Sequence, residues 1–185
     1  MTANARQIEG EPAAARRALA MDPASSRAWW FLGTLAVLRN PRGASLTPTV
    51  IELTVPPGGS PPRHVHHRAD DNFLLLEGEV VVRCGGRTLA ARPGAYVALP
   101  AGVEHTFRVV SPGPARMLLV HADDEFLRFI QAVGTPTADL RIPPPGANDI
   151  TRQELIAAGE AHNFSIVGEP LAEADARAVL AGASA

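Results

Sequence analysis

The sequence contains no lysine: all 17 of its Lys+Arg residues are arginine. Against them stand 19 Asp+Glu, for a formal net charge of only −2. Such a balance excludes the attraction that draws basic proteins to nucleic acid or to anionic membrane surfaces. Cysteine is nearly absent too. The lone Cys84 excludes an intramolecular disulfide framework and points to a reducing compartment. No apolar run reaches transmembrane length, and the Met-Thr-Ala-Asn start carries no hydrophobic signal core. A cytoplasmic location is therefore expected. Hydrophobic content of 46% over 185 residues excludes wholesale disorder and suits one domain with appendages.

Proline and glycine are plentiful, and their placement organises the chain. Residues 1–27 are rich in Ala, Arg and Glu, and Glu11 to Ala20 reads as a short helix. Ala18 to Gly33 mimics part of a tetratricopeptide repeat, but a single copy cannot bury its own face and no second copy follows. From Trp29 to His121 short apolar runs alternate with Gly/Pro breaks, the texture of an all-β domain. Thr49, Ile51, Leu53 and Val55 mark the buried face of one strand. Asn72 to Leu76 and Glu79 to Cys84 are strands joined around Gly78, and Gly85-Gly86 is a hairpin turn before Arg87 to Ala91. Tyr96 to Leu99, Glu104 to Val110 and Arg116 to His121 complete a set that fits a sandwich, jelly roll or barrel. Beyond His121 the period changes. Asp123 to Ala132 reads as an amphipathic helix stopped at Gly134, with Phe126, Phe129, Ile130 and Val133 on one face. Thr151-Arg-Gln-Glu154 is a capping-box signature, and Leu171 to Leu180 reads as a last helix.

Three of the six histidines fall within four residues: His64, His66 and His67. On a strand, positions 64 and 66 point to one face, and two adjacent imidazoles make half of a metal site. His67 points the other way and is assigned no ligand role. Asp71 shares odd parity with Phe73 and Leu75, so on the following strand all three face the interior. An interior carboxylate is costly unless paired or bound to metal. Two alternatives stay open: Asp71 faces solvent at the strand end, or Asp70 takes the role. His105 follows a Pro-x-Gly turn and alternates inward with Phe107 and Val109. A lone inward histidine is ordinarily a satisfied core residue, but a histidine pair elsewhere needs a third donor. No Gly-x-Ser-x-Gly turn or phosphate-cradling glycine loop competes with this cluster. Cys84 reads as a small packed strand residue.

Two runs resemble the cupin motifs. Gly58-x5-His64-x-His66-x4-Asp71-x6-Gly78 is similar to the first, and Gly94-x5-Pro100-x-Gly102-x2-His105 to the second. The wider run from about residue 29 to 145 resembles bacterial single-domain cupins of the quercetin 2,3-dioxygenase-like group. The resemblance implies an all-β double-stranded β-helix, a jelly-roll barrel with short N- and C-terminal helical appendages. On that basis we expect an extension over 1–27, a barrel core over 28–122 and a helical appendage packed on it over 123–185. It also implies one divalent metal ion on His64, His66, His105 and Asp71. Three imidazoles and a carboxylate suit Fe, Ni, Mn, Co or Zn. Asp71, where the family usually has glutamate, is one methylene shorter and could instead serve as a general base. The motif's late asparagine falls on Val109, which offers no polar group.

The function so implied is a metal-dependent dioxygenase-like enzyme for a small aromatic or enolic compound. The alternatives are a non-redox cyclase, isomerase or lyase, and a small-molecule-binding module without turnover. Trp29, Phe31, Phe73, Leu75, Tyr96 and Phe107 are the expected pocket walls, from parity alone. Small cupins commonly pair through edge strands, so a homodimer is expected, with no nucleic-acid or membrane partner.

Overall fold

The computed structural model describes residues 26–40 and 48–182. The helix expected over Glu11 to Ala20 lies outside the described residues. The described chain runs β1 (Ala28–Phe31), β2 (Thr34–Leu38), β3 (Thr49–Val55), β4 (Arg63–His66), β5 (Asp71–Glu77), β6 (Val80–Cys84) and β7 (Arg87–Ala91). It continues with β8 (Tyr96–Leu99), β9 (His105–Val109), β10 (Ala115–His121), α1 (Glu125–Val133) and β11 (Thr135–Thr137). Last come α2 (Arg152–Ala161), β12 (Phe164–Gly168) and α3 (Glu173–Gly182). One sheet has the order β11-β1-β2-β3-β10-β5-β8 and the other β12-β4-β9-β6-β7, with antiparallel pairing throughout. The architecture is a jelly-roll barrel, as the resemblance implied.

Alternation builds the core. On β3 the odd residues Ile51, Leu53 and Val55 are buried; β5 buries Phe73 and Leu75, and β10 buries Met117 and Leu119. They pack into one apolar cluster with the smaller Val80, Val82, Ala91 and Val109 of the opposite sheet. Glu52 points away from that cluster and is buried on the outer face. It is held by Arg39 and Arg116 at 2.9 Å each, which answers the cost of burying a carboxylate.

The chain crosses between sheets at Gly78, with φ +81°. A Cβ there would lie 2.8 Å from Ala115 Cα and 2.9 Å from Pro114 O, so only glycine fits. The Gly85-Gly86 hairpin forms as expected, with Cys84 opposite Arg87. The α2 capping box is complete: Glu154 N donates to Thr151 Oγ1 at 3.2 Å and Thr151 N donates to Glu154 Oε2 at 2.9 Å. Gly134 ends α1 in extended conformation (φ −89°), with Ile130 O, Trp29 Cβ and Trp30 O too close for a side chain.

The segment after His121 holds more than helices. It also supplies two strands: β11 extends one sheet beside β1, and β12 closes the other beside β4. A three-residue Thr-Pro-Thr edge strand has no readable period. In β12 the apolar residues do not alternate cleanly, and the strand sits between two helical signals.

Candidate metal centre and cavity

The five-stranded sheet carries the imidazoles. On β4, His64 and His66 share a face, with ring centroids 5.2 Å apart. On β9, His105 stands directly across from His64, at a ring separation of 4.5 Å. The Pro100–Gly102 turn leading to β9 is tied to the first motif twice. Gly102 N donates to His66 O at 2.8 Å, and Ala101 N to Asp70 Oδ1 at 2.9 Å. Asp70 therefore points out to that turn, and Asp71 points inward, which closes the alternative left open above.

Asp71 begins β5 in the other sheet and is buried. Its Oδ2 lies 3.5 Å from His105 Nε2 and 3.8 Å from His66 Nε2. The ligand atoms offered by His64, His66, Asp71 and His105 all lie within 4.8 Å of one another. His67 is exposed and pairs with Ser165 Oγ at 2.7 Å. Cys84 is half-buried against the core, and burial pushes its thiol pKa up.

The protonation pattern suits an ion. His64 Nδ1 lies 2.7 Å from Pro62 O, and His105 Nδ1 2.9 Å from Val103 O. A carbonyl only accepts, so each Nδ1 carries a proton, and on a neutral His64 ring Nε2 then keeps its lone pair. Burial lowers the His64 pKa to about 4, helped by the proximity of His105, and lowers His66 to about 3. Both rings are thus neutral donors near pH 7. For Asp71, burial pushes the pKa up, but contacts with His105 and His121 outweigh it and hold the carboxylate well below its ordinary range. Two buried imidazole nitrogens that no hydrogen bond satisfies, the Nε2 atoms of His66 and His105, converge here beside Asp71. Buried polar atoms are rarely left so. The donor set and these orphaned atoms fit a bound divalent cation.

Above the cluster opens a cavity of about 580 Å³. Phe31, Phe73 and Phe107 line it, as expected. Three expected wall residues do not. Leu75 and Trp29 are packed into the core behind the wall. Tyr96 is 61% exposed on the outer face of β8. The pairing of β8 with β5 explains it: Val97 lies opposite Phe73 and shares its inward face, whereas Tyr96 lies opposite Leu74. Leu53, Met117 and Leu119 of the larger sheet add to the wall, and the remainder comes from segments that parity did not reach, notably Phe126 and Phe129 of α1, Leu155 of α2 and Phe164 of β12.

His121 was also missed. It ends β10, is 1% exposed, and places Nε2 3.1 Å from Asp71 Oδ1. The signal was present: His121 has the parity of Met117 and Leu119, the same rule that turned Asp71 inward.

Two facing antiparallel sheets with histidines on one, a carboxylate on the other and an apolar cavity above them define a jelly-roll barrel with a metal-type centre. Residues 51–121 match the cupin domain family. Among curated proteins the chain is similar to quercetin 2,3-dioxygenase of Bacillus subtilis (strain 168). The two are 21% identical over 133 residues, which cover 72% of this chain and 39% of that protein. The chain thus spans well under half of that relative's length. Among solved structures it is similar to the polyketide cyclase RemF from Streptomyces resistomycificus, with TM-score 0.48 and 22% identity over 57% of this chain and 79% of that one. It is also similar to an oxalate oxidase, with TM-score 0.44 and 22% identity over 50% and 52% of the two chains. A sugar phosphate isomerase of the cupin superfamily from Silicibacter pomeroyi has TM-score 0.44 and 26% identity over 49% and 60%. No helix among the described residues is long and apolar enough to cross a membrane.

Proposed function

We propose that this chain is a metal-dependent oxygenase of the quercetinase type, acting on a small, uncharged aromatic or enolic compound. One observation carries the reading: an apolar cavity of about 580 Å³, rich in phenylalanine, whose floor is the histidine–carboxylate cluster. The volume is that of a pocket for a drug-sized molecule, far more than a two-carbon dianion such as oxalate needs. No arginine lines it, and its carboxylates are Asp71 and Asp149. A sugar phosphate would find no cationic side chain to pair with its phosphate. A planar ring would instead lie against Phe73 and Phe107, whose centroids are 6.3 Å apart, and present a hydroxyl or ketone to the floor.

His64 and His66 offer neutral imidazoles, His105 a third imidazole and Asp71 an ionised carboxylate, as the four protein donors. A bound divalent ion would acidify a chelating hydroxyl and, in a redox-active form, support chemistry with O2. The phenylalanine wall excludes water and holds the ring in one orientation. Asp71, kept ionised by its histidine neighbours, suits ligation better than proton abstraction.

The test is O2 consumption by protein loaded with Fe(II), Ni(II), Mn(II) or Co(II), offered flavonols and related enols. Uptake that needs both metal and O2 is expected. Turnover without O2, sustained by Zn(II), would move the chain to the second reading, a non-redox cyclase, isomerase or lyase. That reading is favoured by aspartate standing where these enzymes usually carry glutamate. Ligand binding without product under either condition would leave a binding module. A homodimer joined through an open sheet edge, β7 or β8, belongs to the same proposal, and sedimentation tests it.

A further inference from the structure

His121 lies one step past the Val120–Asn72 pair of β10 and β5, which sets it opposite Asp71 on the same face. Its Nε2 approaches Asp71 Oδ1 at 3.1 Å, a hydrogen-bonding distance. Asp71 Oδ2 faces the other way, towards His105 and His66. The two oxygens of one carboxylate thus have different partners. The His121 ring packs against two neighbouring rings. Phe126 stacks on it at 4.9 Å and 25°, and His66 lies nearly parallel at 5.8 Å and 17°. The crevice that His121 also lines has about 10 Å³ of free space, room for at most one water. The ring has little space in which to turn. It stands outside the four residues whose ligand atoms cluster within 4.8 Å.

We propose that His121 is a positioning residue: its Nε2–H holds Asp71 Oδ1, so that Oδ2 alone is offered to a metal ion shared with His64, His66 and His105. An aspartate reaches less far than a glutamate, and an untied carboxylate could swing out of range or present both oxygens at once. Hydrogen bonds to a ligand's far atom fix such choices. This inference rests on the reading that the cluster holds an ion.

The test uses Co(II), whose visible spectrum reports its ligand geometry, with the full-length chain. Against wild type, His121→Phe keeps the stacking but removes the donor. It is expected to weaken Co(II) binding about 10–100-fold and to alter the spectrum. His121→Gln, which restores a donor, should recover most of both. In an Asp71→Ala background, His121→Phe should cost no further affinity, because its effect passes through Asp71. A purely structural role would cost the same in either background, and that result would overturn the inference. So would wild-type affinity and spectrum in His121→Phe. Should His121→Phe fail to fold, His121→Gln decides: a wild-type spectrum supports the inference, and the spectrum of Asp71→Ala defeats it. If the wild type takes up no Co(II), the metal reading itself falls, and this inference with it.

Discussion

The two sheets hold their parts of the site in different ways. In the larger sheet β10 is laced to β3 without interruption from Ala115–Val55 to His121–Thr49, and to β5 along its other edge. Asp71 and His121 sit at the ends of those ladders. In the smaller sheet β4 meets β9 at one residue pair, His64–His105. What holds β4 is β12, through Phe164–His66, Ser165–Val65 and Ile166–His64. The carboxylate half of the centre is therefore built on the barrel's own framework, and the imidazole half leans on a strand from the C-terminal segment. Folding and metal binding should separate accordingly: damage to the larger sheet costs stability first, and damage around β12 costs both.

The sharpest break of this contrast is His66→Ala. It removes a donor from the weakly laced strand and should reduce bound metal to background by elemental analysis, with the barrel still folded by circular dichroism. Next comes a matched pair. The Phe164 ring meets His66 edge-on at 4.3 Å and Phe129 at 4.9 Å. Phe164→Ala should cost about 3–5 kcal/mol in urea unfolding, and metal affinity should fall as β4 loosens. Leu119→Ala, in the larger sheet, should cost about 2–5 kcal/mol while the folded protein keeps its metal affinity. Equal losses of affinity in the two variants would dissolve the distinction between the sheets.

Acid offers a milder probe of the imidazole half. The pKa values of His64 and His66 are lowered from 6.5 to about 4 and about 3, with burial the largest cause. Above pH 6.5 neither the folded nor the unfolded chain protonates them. As the pH falls below 6.5, the unfolded chain binds protons that the folded chain refuses, so metal-free stability drops progressively towards pH 4. Thermal melts of the metal-free protein should show that decline, and His64→Asn/His66→Asn should flatten it. The smallest effect is expected at Tyr96. Exposed on the outer face, Tyr96→Ser should change stability by no more than about 0.5 kcal/mol and leave ligand affinity unchanged in a binding titration.

Much of this was legible in the residues. The all-β texture, the Gly85-Gly86 hairpin and the Thr151 capping box follow from local chemistry, and local chemistry is what a sequence states directly. Same-face parity placed His64 with His66 and turned Asp71 inward beside Phe73. What parity cannot state is which of two faces is the inner one. The strand Tyr-Val-Ala-Leu is apolar at nearly every position, so its sense is set by register against β5, a long-range pairing that turns Tyr96 outward. Phe126, Phe129 and Phe164 were seen only as parts of an appendage, because their role depends on how that segment returns to the barrel. His121 is the different case. Its parity is readable, but it lies outside both motif runs, which end at Gly78 and His105.

The seating of β12 against β4 also has a temporal meaning. During synthesis His64 and His66 leave the ribosome long before Phe164. At about 5–20 residues per second the interval between residues 66 and 164 is roughly 5–20 s. Through that time β4 has no partner along the edge that β12 will later cover. The imidazole half of the centre is thus assembled last, though it is translated early, and a nascent chain arrested before Phe164 should retain ions poorly. Metal loading at such a centre would follow the synthesis of β12.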